Sequence, residues 1–314
     1  MKVLITGGAG YIGTGLVYQL VSVPKIKKIV IYDNLSRENY SFFLGGALKN
    51  SEKLSFVEGD ILDSRKLRKH LQGVDVVIHL AAKVTTPFAN IDSHFYEQVN
   101  HWGTAELVYA LEESKVHRMI YLSSTSVYGR SNDLASEEKV PNPRTFYGIS
   151  KLRGEEHVTR LFDKMQTYII RCGNVYGYNK SVRFYSVINR FIFDANYKRR
   201  ITINGNGTQA RAFIHVETIG EILANLVSKQ VDPGIYNVAT HNCRILELVD
   251  VLKNIFPELE FMFVNQHLNL RGIRIQPNQD FLSQLGVTPP DNLEEELKSF
   301  VKKLPFGGLM HNPG

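Results

Sequence analysis

A tyrosine and a lysine four residues apart could carry out acid–base chemistry in this chain. Tyr147 and Lys151 lie in the stretch "FYGISKLRGEE", and on a helix this spacing places both side chains on one face. A phenol is a weak base at neutral pH because its unperturbed pKa is about 10, but a neighbouring ammonium favours the phenolate. Ser124 closes the apolar run of "YLSSTSVYGR" and could hold a substrate hydroxyl. The three residues predict proton removal from an alcohol.

A glycine-rich turn near the N-terminus could bind a dinucleotide. Gly7, Gly10 and Gly13 in "MKVLITGGAGYIGTGL" have the spacing G-x-x-G-x-x-G, a variant of the dinucleotide-binding fingerprint. Such glycines allow a tight turn out of a strand, a close approach of backbone N–H groups to a pyrophosphate, and close packing of a helix on the sheet. Asp33 follows at the distance expected of a carboxylate that binds ribose hydroxyls. Its charge favours NAD over NADP, although Arg37 is close by.

Short apolar runs alternate with helix-like stretches and would position these residues. The runs have the length of parallel strands covered on both faces, and they lie at 3–6, 29–32, 54–57, 76–80, 119–123 and 168–171. The stretches 95–113 and 146–162 carry apolar residues at helical spacing. This alternation predicts an α/β fold with a Rossmann-like, doubly wound parallel sheet. Asp60 then follows the third strand, where it could meet the edge of an adenine.

The pattern changes after about Gly173. Short strands, turns such as "NGNG" and helices around 186–196, 217–228, 246–255 and 293–302 follow. We therefore predict an NAD-binding domain over residues 1–173. Residues 174–314 would mainly form a smaller α/β substrate lobe, with some segments returning to the first domain.

Composition excludes several other classes of protein. The 314 residues are 43% hydrophobic and include two distant cysteines, which argues against a disulfide scaffold and against a structural metal. The sequence shows neither a signal-peptide core nor a run of 18 apolar residues, so we expect a cytoplasmic protein that does not enter membranes. The formal net charge of +6 is spread over short basic groups without interleaved aromatic residues, which argues against nucleic acid as a partner.

With these motifs in place, the sequence resembles the extended short-chain dehydrogenase/reductases that act on nucleotide sugars, of the epimerase type. The resemblance covers nearly the whole chain and rests on "TGGAGYIG", "DNLS", "GDILD", "VIHLAA", "SSTSVYG", the YxxxK helix, "RCGNVYG", "GNGTQARAFIHV" and "YNVA". It implies that Ser124, Tyr147 and Lys151 act together with NAD on a nucleotide-diphosphate sugar, a UDP-sugar in the best-known members. It also implies a homodimer in which the helices at 95–113 and 146–162 pair.

The resemblance further assigns binding residues. The cofactor-binding positions are Gly7, Gly10, Tyr11, Ile12, Gly13, Asp33, Asn34, Asp60, Ile61, Leu80, Ala81, Ala82, Lys83, Asn100, Tyr147 and Lys151. The substrate-binding positions are Ser124, Thr125, Asn174, Arg211 and Arg271, with the two arginines on the phosphates. The sequence departs from the family at Ala212 and Arg274, where aspartate is usual or frequent. The identity of the sugar therefore stays open.

The resemblance also narrows the reaction. The related sugar 4,6-dehydratases carry Asp-Glu directly after the catalytic hydroxyl residue, whereas this chain has Thr125 and Ser126. We therefore expect an NAD-dependent nucleotide-sugar 4-epimerase, an isomerase that works through a transient 4-keto sugar. A reductase, dehydrogenase or dehydratase acting on a related nucleotide sugar is one alternative. A non-catalytic dinucleotide-binding protein is another, although the intact set of Ser124, Tyr147 and Lys151 counts against it.

Overall fold

A parallel sheet of seven strands forms the centre of the molecule. The computed structural model describes residues 1–46, 48–84, 93–130, 133–266 and 272–307. The strands of this sheet are β1 (Lys2–Thr6), β2 (Lys28–Asp33), β3 (Leu54–Glu58), β4 (Val76–His79), β5 (Arg118–Ser124), β7 (Gln166–Cys172) and β11 (Gly234–Val238). Their order is β11-β7-β5-β4-β1-β2-β3, and every neighbouring pair is parallel. The predicted doubly wound α/β fold is confirmed.

Helices cover both faces of this sheet, because its inner strands are apolar on both sides. The helices before residue 173 are α1 (Tyr11–Leu20), α2 (Ser64–His70), α3 (Ser93–Tyr96), α4 (Gly103–Glu112) and α5 (Phe146–Thr159), and α7 (Val216–Ser228) follows later. On one face Leu16 and Ile222 join the core, and on the other face Leu107 and Val158 do so. The carboxyl ends of the strands are left at one open edge, where parallel sheets build their sites.

The later part of the chain adds small sheets and helices around a core of its own. The strands are β6 (Leu134–Ala135), β8 (Asn174–Tyr176), β9 (Arg200–Asn204), β10 (Ala210–His215), β12 (His241–Arg244), β13 (Glu260–Val264) and β14 (Arg274–Ile275). The helices around this core are α6 (Val187–Lys198), α8 (Ile245–Ile255) and α10 (Leu293–Val301), whereas α9 (Gln279–Gln284) packs through Phe281 and Leu282 into a core of the central sheet. Ile192, Phe213 and Leu248 belong to this core. The division into domains at residue 173 stays a prediction.

Within the described ranges, no helix is both long enough and apolar enough to cross a lipid bilayer. The same part of the chain contains no group of three or more His, Cys, Asp or Glu side chains that could hold a metal ion.

The six predicted strands are present, but two predicted helices differ in detail. The expected helix at 95–113 contains a π-helical turn, Glu97–Trp102, between α3 and α4. This turn carries Asn100, whose buried amide bonds to the backbone of Lys83 and to the Ser150 hydroxyl. The spacing of apolar residues cannot predict such a turn, because the turn accompanies contacts that Asn100 makes only in the folded chain. The helix expected at 146–162 ends earlier, at Thr159.

The close contact between α1 and the glycine turn gives a matched pair of substitutions. A Cβ at Gly13 would lie 2.6 Å from the Cα atom of Gly8, whereas one at Gly15 would lie 3.6 Å from Asn179 Nδ2. We expect Gly13→Ala to lower the free energy of unfolding by about 1–3 kcal/mol through overpacking. Gly15→Ala should raise it by about 0.5–1 kcal/mol because alanine favours a helix interior. Urea unfolding of both variants checks this, and equal effects would contradict the packing described.

Candidate active site

The predicted acid–base residues meet at the carboxyl edge of the sheet. Ser124 is the last residue of β5, and Tyr147 lies in the first turn of α5. The Thr145 side chain caps this helix by accepting a hydrogen bond from Gly148 N at 3.0 Å. The cap fixes the start of α5 beside β5 and brings the Tyr147 phenol close enough to the Ser124 hydroxyl for the two groups to interact. A substrate hydroxyl at this point would contact both groups.

Lys151 is held out of water one turn further along α5. Its side chain is 2% exposed, and Nζ lies 4.2 Å from the centre of the Tyr121 ring. Burial lowers the pKa of Lys151 to about 7, and the Glu155 carboxylate opposes this shift. Because the pKa is close to neutrality, the charge of Lys151 depends on small changes around it. Burial, together with the positive charge of Lys151, lowers the pKa of the neighbouring His79 to about 3, so that imidazole is neutral.

The electrostatics at Tyr147 differ from the prediction. Tyr147 is half-buried, and desolvation of its phenol raises the pKa above the usual value of 10. The hydrogen bond from Ser124 and the positive charges of Arg183 and Arg37 oppose that increase. The sequence predicts that the neighbouring ammonium favours the phenolate, but in the protein without bound ligands the desolvation of the phenol outweighs its polar neighbours. The phenol is therefore protonated at neutral pH in this state.

The glycine turn has the shape of a pyrophosphate cradle. Gly7 has a positive φ of +70°, and a Cβ there would lie 2.6 Å from Ala81 N. Helix α1 begins at Tyr11, directly after Gly10, which has no side chain to cap the helix. The first N–H groups of α1 and the positive end of its dipole are thus directed at the edge of the sheet. Any larger residue at Gly7 would displace the backbone around it, so glycine is needed to form this turn. The turn, with the N–H groups of α1 beside it, fits a dinucleotide.

Three further predicted cofactor residues lie at the ends of β2 and β3, next to this turn. Asp33 Oδ2 accepts a hydrogen bond from Ala9 N at 3.0 Å, and Oδ1 accepts one from Leu35 N at 2.9 Å. Burial raises the pKa of the Asp33 carboxyl, and these two N–H groups oppose the increase. Asn34 Nδ2 donates to Asp60 Oδ2 at 2.9 Å, which joins the ends of β2 and β3. The carboxylates are therefore positioned by the strand ends, as the sequence predicted.

Other predicted cofactor residues follow β4, hydrogen-bond the segment after β4, or pack in the cores around the sheet. Lys83 N donates to Asn100 Oδ1 at 2.7 Å, and Asn100 Nδ2 donates back to Lys83 O at 2.9 Å. Ala81 N lies 3.4 Å from Thr6 Oγ1 and donates to it. Asn100 thus fixes the segment after β4 through its backbone. The side chains of Ile12 and Leu80 pack against one core of the sheet, and the side chain of Ile61 belongs to the other.

The predicted substrate residues are only partly brought together. Thr125 is 3% exposed directly after Ser124. Asn174 Nδ2 donates to Ala212 O at 3.0 Å, which links β8 to β10. Burial lowers the pKa of the Arg211 guanidinium. Arg271 lies outside the described residues.

Sequence reasoning missed Arg183 and the segment 177–189 that carries it. Tyr11 Oη donates to Gly177 O at 2.5 Å, and Asn179 Nδ2 donates to Tyr11 O at 2.7 Å. Asn189 Nδ2 contacts Tyr11 Oη at 3.2 Å and Arg183 O at 3.0 Å. These bonds fasten the segment to the start of α1, and Arg183 acts electrostatically on Tyr147 from there. No motif marks this loop, so only the folded chain shows the contact.

Comparison with known proteins agrees with this geometry. A human dTDP-D-glucose 4,6-dehydratase is 32% identical over 96% of this chain and 89% of its own length. A putative UDP-glucose 4-epimerase of Methanocaldococcus jannaschii is 31% identical over 80% of this chain and 81% of its own. A similar solved structure is that of UDP-glucuronic acid 4-epimerase from Bacillus cereus in complex with UDP-glucuronic acid and NAD. Its sequence is 25% identical to this one, and the two structures superpose with a TM-score of 0.84 over 96% of this chain and 98% of that chain.

The model of one protein family matches most of the chain. Its description is "NAD dependent epimerase/dehydratase family", and the match runs over residues 3–239, from β1 to the end of β11. This range contains the glycine turn, Asp33 and the set of Ser124, Tyr147 and Lys151. The chain therefore belongs to the NAD-dependent epimerase/dehydratase family of extended short-chain dehydrogenase/reductases, and its cofactor is NAD.

Proposed function

We propose that this protein is a nucleotide-sugar 4-epimerase. The observation that carries the proposal is the pair of hydroxyl residues after Ser124. Thr125 is buried, and Ser126 Oγ accepts a hydrogen bond from Ser124 Oγ at 3.2 Å. A 4,6-dehydratase must protonate a leaving hydroxyl and remove a second proton from carbon, whereas an epimerase needs proton transfer at one hydroxyl only. Aliphatic hydroxyls are very weak acids and very weak bases near neutral pH, so this pair does not supply the acid and base of a dehydration.

The charges around Tyr147 support the same proposal. The positive charges of Arg183 and Arg37 both act on its phenol and favour the phenolate that takes up the hydroxyl proton. The site has the components of a reversible alcohol oxidation, which are a phenol, an orienting hydroxyl and a buried ammonium.

The residues divide the proposed reaction between them. Ser124 hydrogen-bonds the C4 hydroxyl of the sugar and orients it toward Tyr147, whose phenolate accepts the hydroxyl proton. Lys151 favours this phenolate through its positive charge when it is protonated. NAD, when bound in the glycine cradle, supplies the hydride acceptor for C4 and the donor for its return. The 4-keto sugar turns its other face toward the cofactor before the hydride returns, and Tyr147 then gives the proton back to the C4 oxygen. Because the hydride returns to the sugar, no net oxidation occurs.

Relatives support a nucleotide sugar as the substrate. The similar proteins named above are a dTDP-glucose dehydratase, a putative UDP-glucose epimerase and a UDP-glucuronic acid epimerase. We propose a UDP-sugar, with the buried guanidinium of Arg211 on its phosphates. We also propose a homodimer that pairs α4 and α5, near which Trp102 is 53% exposed. The cytoplasmic location stays a prediction.

The human dehydratase relative makes 4,6-dehydration the second candidate, and product analysis separates the two. Purified protein should be incubated without added cofactor with UDP-glucose, UDP-galactose, their N-acetyl forms, UDP-glucuronic acid and dTDP-glucose. We expect NMR to show the C4 epimer of one of the UDP-sugars. A 4-keto-6-deoxy sugar would show a dehydratase instead. In a parallel sample with added NAD, formation of one NADH for each sugar consumed would show a dehydrogenase.

Replacement of the catalytic phenol provides a second test. We expect Tyr147→Phe to lower kcat by about 10²–10⁴ because one positioned proton-transfer group is lost. NAD content and thermal unfolding should change little, and Tyr40→Phe, at a residue that is 56% exposed, is the matched control. Ser124→Ala should cost less, since Tyr147 stays in place. Wild-type turnover in Tyr147→Phe would require another base.

Cofactor choice should depend on Asp33. We expect Asp33→Ser to weaken NAD binding by about tenfold, because it removes a charged hydrogen-bond acceptor for the ribose. The same change should raise the relative affinity for NADP by removing repulsion of the 2′-phosphate. Glu58→Ser, at the exposed residue paired with Asp33 across β2 and β3, is the control. An unchanged ratio of NAD to NADP affinity in Asp33→Ser, measured by fluorescence titration, would contradict the assignment.

Burial of Lys151 should appear in the pH dependence of stability. Its pKa is about 7 when folded and 10.5 ordinarily, so between these values the unfolded chain binds the extra proton. Stability in nucleotide-free protein should therefore rise from pH 7 to pH 9, by about 2 kcal/mol from this group. Lys151→Met should abolish that rise and be more stable than wild type at pH 7, while it loses activity. Urea unfolding at the two pH values measures this, with exposed Lys25→Met as control, and a slope unchanged by Lys151→Met would contradict it.

A further inference from the structure

A buried carboxylate lies one helical turn beyond Lys151. Glu155 is 3% exposed on α5 and has hydrogen-bond partners at both oxygens. Its Oε1 accepts from the Ser123 hydroxyl and, at 3.1 Å, from Arg171 Nε. Its Oε2 accepts from Arg171 Nη2 at 2.7 Å. These contacts fix the orientation of the carboxylate and pair it with the Arg171 guanidinium.

These partners are the residues that adjoin the catalytic strand ends. Ser123 precedes Ser124 on β5, and Arg171 precedes Cys172 on β7, and the two pairs lie opposite each other in the sheet. Glu155 therefore ties together β5, β7 and α5, the three elements that meet at the proposed acid–base set.

Glu155 also faces Lys151, since residues four apart on a helix are neighbours. Cys172, Tyr121 and His79 contribute to the same surroundings, and burial keeps all three neutral at pH 7. The pKa of Cys172 is raised to about 12, that of Tyr121 is raised well above 10, and that of His79 is lowered to about 3. Arg171, on the other partner strand, partly offsets the charge of Glu155. The carboxylate is thus the anion that acts on the Lys151 ammonium within this buried group.

We propose that Glu155 is a positioning residue of the reaction, which holds the Lys151 ammonium in its charged form and fixes Ser124 against α5. It contacts neither sugar nor cofactor and acts through these two residues. The inference rests on the proposed function for its effect on turnover, and on the fold alone for its effect on Lys151. Substrate affinity should depend little on it.

Glu155→Gln tests the charge, because glutamine keeps the size and a hydrogen-bond acceptor. In the holoenzyme we expect kcat to fall at least tenfold with KM nearly unchanged. The alkaline limb of the kcat profile should move at least one pH unit lower, since Lys151 would lose its proton more easily. NMR titration of ¹⁵N-lysine, with the Lys151 signal assigned by its loss in Lys151→Met, should show the same shift without reference to turnover.

Three companion variants keep the test decisive. Glu155→Asp retains the negative charge, so Lys151 should titrate at the wild-type pH in this variant and not at the lower pH expected in Glu155→Gln. Arg171→Gln removes the offsetting cation and should move that titration to higher pH, which gives a result even if Glu155→Gln does not fold. Glu156→Gln, at the exposed neighbouring residue, should change neither property.

Unchanged Lys151 titration in both Glu155→Gln and Arg171→Gln would overturn the proposal and leave Glu155 a structural residue. If wild-type protein converts none of the sugars, the proposed function fails, and the NMR titration still decides the role of Glu155.

Discussion

Desolvation of the Lys151 ammonium is the constraint on which the rest of the site depends. An isolated cation in a protein interior is unstable, so the surrounding chain must supply compensating contacts. The Tyr121 ring lies 4.2 Å from Nζ, and Glu155 lies on the next turn with its own charge met by Arg171. Burial of the Lys151 ammonium lowers the stability of the fold, but it places a group that can gain or lose a proton near neutral pH in the site. Desolvation likewise raises the pKa of Tyr147 in the protein without bound ligands.

Two distant parts of the chain are joined beside these residues. One is the glycine turn with the start of α1, and the other is the segment 177–189, which follows β8. Tyr11 belongs to both, because it begins α1 and hydrogen-bonds Gly177 and Asn189. Thr14 Oγ1 and Ser181 Oγ, 2.7 Å apart, add a second link. In the proposed reaction, the turn that binds the cofactor is therefore directly connected to the segment that places Arg183 at Tyr147.

Much of this arrangement follows from local sequence signals. Buried parallel strands read as continuous apolar runs, and glycines mark the turn where a Cβ would strike the backbone at Ala81. Tyr147 and Lys151 share a helical face by spacing alone. Other features depend on tertiary contacts that no local pattern encodes. The π-helical turn at Asn100, the joining of β11 to the central sheet, the approach of Arg183 and the direction of the pKa shift at Tyr147 are of this kind.

The fate of the hydrogen on C4 tests the proposed chemistry most directly. A UDP-sugar that is converted should be prepared with deuterium at C4 and followed to partial conversion by NMR and mass spectrometry. A 4-epimerase returns the hydride to the carbon it left, so we expect deuterium at C4 in both epimers. Because 4,6-dehydration leaves a ketone at C4, that hydride must move to C6. Deuterium at C6, or its loss to released cofactor, would contradict the assignment of this site to 4-epimerisation.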